Sequence, residues 1–442
     1  MIDTLVSPLA TRTHIALVIA RGIAGFARAA LAANVAAAAA APMYAQTLPP
    51  IHKLGPVQHS STELLGSVSA ARALPDGRVL IHDLSRRRLL LFDSTLGSFD
   101  VIADATSGTG NAYGSQAGGL IRYLGDSSLF VDPSSLTMTV ISGTGKVVRV
   151  IAVPNARDVS RLTGGPNGTP GIDGNGRLVF LGASTRVPGS PTPQDSAPLI
   201  AFDLRSRRAD TLTKLLRAGQ HAVVKAVSPE IGEYLVLPTD PMPRSDDWAV
   251  MADGSVAVVR VLDYHVDWIR PGARITSTRN IPFAWMRLDD SAKAAFMDST
   301  KAVVAALAAE RQKRLDAGGD AGSIEFPAGS AMVITTAAQH RMLTRIPTAP
   351  LDAFVPSSSL PDYAPPFAPG AVRSDLDGHL WVRTSIVVDG GSVYDVIDGV
   401  GKLIDRVRVQ ERRVIAGFGN DGIVYMGVRD GSGVRLEQAR WR

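Results

Sequence analysis

Apolar and polar positions alternate in this chain in a unit that recurs. In LPDGRVLIHDLSRRRLLLFD, residues 74–93, a turn pair (Asp76-Gly77) is followed by an apolar run, a polar turn and a second apolar run. The same order begins at Gly125-Asp126 (then SLFVD), Gly174-Asn175-Gly176 (RLVFLG), Asp253-Gly254 (SVAVVRV), Asp377-Gly378 (HLWVRT) and Asp421-Gly422 (IVYMGV). Gly supplies positive φ, and Asp or Asn closes the turn with its side chain, so each anchor predicts a tight reversal between strands. The runs are rich in Val, Ile, Leu and aromatics, the composition of half-buried or buried strands.

Each anchor has similar neighbours. Another strand-like run precedes most of them, as in GLIRYL (119–124), WAVMA (248–252) and RRVIAGFG (412–419). A second run follows, and most units add a third, as in KVVRVIAV (146–153) and KLIDRVRV (402–409). Four strands in a repeat of roughly 40–50 residues is the period of a propeller blade. The spacings from Gly77 through Asp126, Gly176, Gly254 and Gly378 to Gly422 are 49, 50, 78, 124 and 44. The two long intervals require insertions.

The first insertion falls within 184–247 and holds two Pro-rich stretches, TRVPGSPTPQDSAP and LPTDPMPRSDD, which predict loops. The second is DDSAKAAFMDSTKAVVAALAAERQKRLD, 289–316. Asp289 or Asp290 can cap a helix there and Gly318-Gly319 can end it. Phe296, Met297, Val303, Val304, Leu307 and Leu315 fall on roughly one face, so an amphipathic helix interrupts an all-β pattern. A connector with seven prolines, 347–369, predicts an extended surface strap back to the next blade. The last unit is one strand short. Residues near 50–58 belong to no other blade and are expected to add as its outer strand, closing the ring, because an open blade exposes an unpaired edge.

These parts carry a resemblance. Six units with DG turns, and above all DLDGHLWVR (375–383), resemble the six-bladed propellers of the NHL and TolB-like superfamily. The PDGRVLxxD unit, YHVDWI (264–269), the helical insert and GFGNDGIVYMGVRD together resemble exported bacterial propeller proteins of unassigned activity. The resemblance covers about residues 55–442. It implies an all-β, six-bladed fold of four-stranded blades and an exported compartment. It implies no catalytic residues.

The N-terminus agrees with export. Arg12, Arg21 and Arg28, with no acid among residues 12–28, precede the uncharged run AALAANVAAAAAAP and a small-residue exit at Ala45. These are the parts of a signal peptide, expected to span 1–45 and to leave a propeller of 46–442. The run falls short of the roughly 20 apolar residues of a membrane span, so no stable span is expected after cleavage. Residues 1–45 carry three arginines and one aspartate, so net charge falls from +5 to +3 without them. The excess is spread along the chain, which argues against a nucleic-acid partner. With no cysteine, neither disulfides nor Cys-based zinc sites arise.

No catalytic constellation stands out. The eight histidines are scattered, with no HExxH, so His82 and His265 are read as strand residues rather than funnel ligands. Gly-Ser-Gln-Ala-Gly within 108–119 is not a nucleophile elbow, and the stretch lacks a phosphate loop's GK[ST] ending. Asp83, Asp93, Asp132 and Asp203 flank strands and are read as turn caps. Asp375 and Asp377 mimic a calcium loop but lack its closing Glu. Trp248, Trp268, Trp285, Trp381 and Trp441 are read mainly as core between blades.

No cofactor and no metal is assigned. The favoured function is an exported module binding an unknown small molecule or an envelope protein. The alternative is a metal-dependent, lactonase-like hydrolase with its site in the central channel, for which Glu63, Arg122, Arg373 and Asp375 are the inner-strand candidates.

Overall fold

A computed structural model describes residues 48–442 apart from 69, 107–113, 115, 117, 184–195, 218–223, 229–231, 237, 273, 317–353 and 431–432. The signal-peptide segment, Gly318-Gly319, the first Pro-rich stretch up to 195 and the first part of the connector lie outside the described residues.

Six sheets of at least four strands form the blades of a ring. Blade one holds β3 (Ala70–Ala73), β4 (Val79–Asp83), β5 (Arg88–Phe92) and β6 (Phe99–Ala103). Blade two holds β7 (Gly119–Arg122), β8 (Ser128–Asp132), β9 (Thr137–Ile141) and β10 (Val147–Ala152). Blade three holds β11 (Gly171–Ile172), β12 (Leu178–Leu181), β13 (Ser196–Phe202) and β14 (Ala209–Leu216). The hairpin of β15 (Val224–Ser228) and β16 (Gly232–Val236) then intervenes. Blade four holds β17 (Asp247–Val250), β18 (Val256–Arg260), β19 (His265–Ile269) and β20 (Thr276–Ser277). Blade five holds β21 (Phe367–Ser374), β22 (Leu380–Val388), β23 (Gly391–Ile397) and β24 (Leu403–Val409). Blade six holds β25 (Arg413–Phe418), β26 (Ile423–Asp430) and β27 (Gly433–Arg440). The first strand of each blade is innermost; β3 packs beside both β25 and β7, so the ring is closed.

All six turn anchors take the expected backbone. Gly77, Gly125, Gly176, Gly254, Gly378 and Gly422 have φ between 60 and 91°, the region open to Gly at no steric cost. In blades one to four the second strand is the most buried. VLIHD of β4 and SLFVD of β8 are buried at every position, between neighbouring blades. Trp248, Trp268, Trp381 and Trp441 are core, as expected; Trp285 is 39% exposed.

The N-terminal strand closes the last blade, with one change from the expected bounds. β2 (Val57–Ser60) pairs antiparallel with β27 as the outer strand of blade six. β1 (Ile51–Lys53) instead pairs parallel with β24, as a fifth strand on blade five. Between them Gly55-Pro56 lets the chain step from one blade to the next: the N–H of Leu54 donates to the Arg408 carbonyl, and that of Gly55 to Arg440, each at 3.1 Å. The Asp405 carboxylate ties this seam together. It accepts from Trp441 Nε1 at 2.8 Å and Arg442 Nη2 at 3.2 Å, and lies 3.1 Å from His52 Nδ1.

The insert contains α1 (Asp290–Asp316). Asp289 Oδ1 accepts from the Ala292 N–H at 2.8 Å, capping it. Phe296 and Met297 are buried, and Val303 and Val304 are half-buried. Their partners are Met242, Leu288, Val355, Leu360 and Ala364, drawn from the connectors around blade four and the Pro-rich strap. This small cluster is separate from the six clusters formed by the blades.

Candidate functional site

The inner strands enclose a central channel with a cavity of about 380 Å³, lined from all six blades. One mouth is formed by the DG-turn ends of the inner strands, with Leu124, Gly125, Gly174, Asp253, Gly254 and Leu376 at the lining. The other is crossed by residues 156–168, which hold two 3-10 turns, Ala156–Thr163 and Gly165–Asn167. This crossing segment touches the starts of inner strands in three blades. A Cβ on Gly119 of β7 would lie 2.6 Å from Thr163 Cα, and one on Gly370 of β21 would lie 2.7 Å from the Gly165 carbonyl oxygen. Trp248 Nε1 of β17 donates to the Asn167 carbonyl at 3.0 Å. Arg217 donates to the Pro166 carbonyl at 3.3 Å. The channel is thus a cup with Thr169, Pro170 and Gly171 lining it next to the crossing segment.

Three arginines line the cup: Arg72 on β3, Arg122 on β7 and Arg373 on β21. Arg72 and Arg373 occupy the same place in the repeat, two residues before the one whose N–H closes the turn (Leu74 to Arg78, Asp375 to His379). The corresponding places in blades three, four and six hold Gly171, Ala249 and Gly417, which extend at most a methyl. Arg122 sits one place later in its blade, next to Tyr123, whose N–H closes the turn with Ser127. The arginines therefore lie on the arc that runs from blade five through six and one to two.

Among the described residues, neither Arg122 nor Arg373 makes a side-chain hydrogen bond or an ion pair. Arg72 donates one Nη1 bond to the Ala73 carbonyl, and its buried Nε has no partner. Burial, and then the nearby charge of Arg122, lower the Arg72 pKa to about 10, with Asp126 acting the other way. Burial also lowers the pKa of Arg373. With its pKa at about 10, Arg72 stays charged at neutral pH.

The carboxylates of the lining are already committed. Asp173 accepts from the N–H groups of Asn175 and Arg177 and from Arg177 Nε at 2.9 Å. Asp253 accepts from the Ser255 N–H and hydroxyl. Asp375 accepts from the N–H groups of Asp377 and His379 and from Trp381 Nε1 at 2.9 Å, and meets His379 Nδ1 at 2.8 Å. Of the four candidates from the sequence, Arg122, Arg373 and Asp375 come together in the channel. Glu63 does not: it pairs with Arg86 and Arg88 beside blade one, at 3.1 and 3.0 Å. Arg72 was missed, although aligning the blades on their turn-closing residues places it opposite Arg373.

Other titratable groups serve the blades. His82 is fully buried against Phe130, with ring centroids 5.4 Å apart, and burial lowers its pKa to about 4, so it is neutral. Its sequence reading as a strand residue fits this place. His265 lies 2.7 Å from Asp263 and 3.3 Å from Asp267. Asp93, Asp132 and Asp203 accept from N–H groups of their own turns, and Asp83 accepts from Gly66 and Ser67. Burial raises Asp247 and Asp395 to about 6; Asp247 accepts from the Val372 N–H and Asp395 from Tyr264 Oη, each at 2.9 Å. Among the described residues, no group of three or more His, Asp or Glu side chains is placed to hold a metal ion.

No protein-family model matches the chain, and no curated protein matches it. Solved structures match in fold. A Bacteroides fragilis protein whose name marks it as a candidate for export is 9% identical, with TM-score 0.41, over 91% of this chain and 98% of its own. Virginiamycin B lyase from Staphylococcus aureus is 11% identical, with TM-score 0.32, over 86% of each chain. Regucalcin, a calcium-binding protein from Agrobacterium tumefaciens, is 12% identical, with TM-score 0.36, over 89% and 98%. The chain is a six-bladed β-propeller. At these identities and scores the likeness carries nothing about what this propeller binds.

Proposed function

We propose that this propeller, of the NHL and TolB-like kind, is an exported module that binds a small molecule in its central channel. The observation that carries the reading is the cup itself. It is walled by all six inner strands, crossed at one mouth by residues 156–168, and about 380 Å³ in volume, within the range of small-molecule sites. Export rests on the Arg-flanked apolar leader. Among the described residues no helix is long and apolar enough to cross a membrane.

The reading is tested by thermal-shift and calorimetric titrations with neutral, anionic and cationic metabolites on wild type and on Ala252→Trp, which fills the lining. At least one class should bind wild type and fail on the filled channel. Compounds that bind both proteins equally would place binding elsewhere and overturn it. Export is checked separately: N-terminal sequencing of native protein should begin at Gln46, and a cytoplasmic chain beginning at Met1 would overturn that part.

A further inference from the structure

We infer that the ligand of the channel is a small organic polyanion, a polycarboxylate or a phosphate ester, held by Arg72, Arg122 and Arg373. This rests on the channel reading above and names the class of molecule the cup takes. Three observations carry it independently of any relative. The first is convergence: three guanidinium groups from three blades line one cavity. A strand position that puts only a glycine at the lining in two blades, Gly171 and Gly417, puts an arginine there in two others.

The second observation is that no carboxylate among the described residues is in ion-pair contact with the three, although Asp247 and Asp126 act on Arg373 and Arg72 from farther off. A guanidinium carries five N–H donors and is costly to leave partly desolvated without a counter-charge. Across the described residues the side chains of Arg122 and Arg373 have neither ion pair nor hydrogen bond, and Arg72 keeps a buried, unsatisfied Nε. Four other arginines of the ring are paired: Arg88 with Asp83, Arg177 with Asp173, Arg260 with Asp246 and Asp267, Arg413 with Glu437. The lowered pKa of Arg72 reflects the same lack, and one of its causes is the charge of Arg122.

The third observation concerns the acids of the rim. Asp173, Asp253 and Asp375 have both oxygens engaged by turn partners. Asp126, the carboxylate acting on Arg72, is exposed beside the mouth and makes no ion pair with it. A carboxylate or phosphate in the cup would meet unspent donors, in the fork geometry that arginine offers to planar or tetrahedral oxyanions. A divalent cation would meet three positive charges there.

The experiment is isothermal titration in low-salt, phosphate-free buffer. The probes are citrate, glucose 6-phosphate, the neutral trimethyl ester of citrate, glucose and spermidine. Citrate or glucose 6-phosphate should bind saturably, and which one binds separates the polycarboxylate from the phosphate ester. Affinity should fall at least tenfold in Arg122→Gln/Arg373→Gln and weaken with added salt. Neither arginine side chain makes a hydrogen bond or ion pair to the fold, so the double variant should keep its melting temperature. If it does not, Arg122→Gln alone is read, since that side chain is exposed to the channel. Undiminished anion binding in the variants overturns the inference. Binding of glucose, the ester or spermidine alone, lost in Ala252→Trp, overturns the anion class and leaves the channel reading standing. Binding of none of the probes overturns the anion class, whatever a wider search finds for the channel.

Discussion

The N-terminal seam and the helical insert both lie outside the regular run of four-stranded blades, yet they relate to the ring in opposite ways. At the seam, β1 and β2 enter two different sheets and supply backbone partners to β24 and β27. Leu54 joins the blade cluster of Val407, Ala439 and Trp441, and Asp405 gathers His52, Trp441 and Arg442. The insert packs mostly on connectors and strap, within a cluster of its own. A ring has no free end only if its last blade is complete, so a short strand at the seam holds long-range order. A long helix outside the ring holds only its neighbours.

The strongest way to break this contrast is to remove the seam. A chain beginning at Ser61 lacks β1 and β2. It should lose more than about 5 kcal/mol, or fail to unfold cooperatively, which is at the exceptional end of sequence changes. Calorimetry or urea unfolding reads this, and a truncated chain with the full melting temperature would erase the distinction. Asp405→Ala sharpens the point with one residue. It strands the buried Trp441 Nε1–H and the Arg406 N–H and should cost about 1–3 kcal/mol, the exposed Arg442 adding little. The equivalent loss at Asp203, which accepts only from N–H groups of its own turn, should be much smaller.

Acid provides a stress on the ring at one buried imidazole. His82 is neutral when folded, with its pKa lowered to about 4 from an ordinary 6.5. Its contribution is fully present above pH 6.5, because both states are then neutral. As pH falls from 6.5 toward 4 the unfolded chain binds the proton first, and stability drops by up to about 3 kcal/mol. Asp247 and Asp395, raised to about 6, have the opposite sign: they become protonated first in the folded state, which gains relative stability as pH falls from 6 toward 3.8. The His82 effect is therefore isolated as the difference between wild type and His82→Gln, whose curves should converge on acidification. Parallel curves would show that burial of this imidazole has no such cost.

The smallest effect is expected in the insert. Phe296→Ala, or replacement of 289–318 by a Gly/Ser linker, should leave the main unfolding transition within about 1 kcal/mol, because local units open separately from a cooperative core. Limited proteolysis should nevertheless cut the Phe296→Ala variant faster within 290–316. A main transition lowered as far as by the seam truncation would make the insert part of the ring.

Much of this architecture is legible in the sequence because it is local. A turn that demands positive φ at Gly77 or Gly378, and the apolar run after it, are written in adjacent residues and repeat. Helix 290–316 is legible for the same reason, from spacing and the Asp289 cap. Closure was legible as a missing strand, but its bounds were not. Whether Ile51–Lys53 pairs with blade five or six depends on where the Gly55-Pro56 step falls against strands some 350 residues away.

The channel shows the same limit. The sequence by itself determined the ring, its six anchors and the presence of Arg122 and Arg373 on inner strands. Only the tertiary structure decided that Arg72 joins them, that Glu63 pairs instead with Arg86 and Arg88, and that residues 156–168 cross one mouth. The reason is physical. Turn and strand preferences act between neighbours in the chain, whereas an unpaired charge is a property of everything that surrounds it. Those surroundings exist only once blades one, two and five have been brought around the same axis.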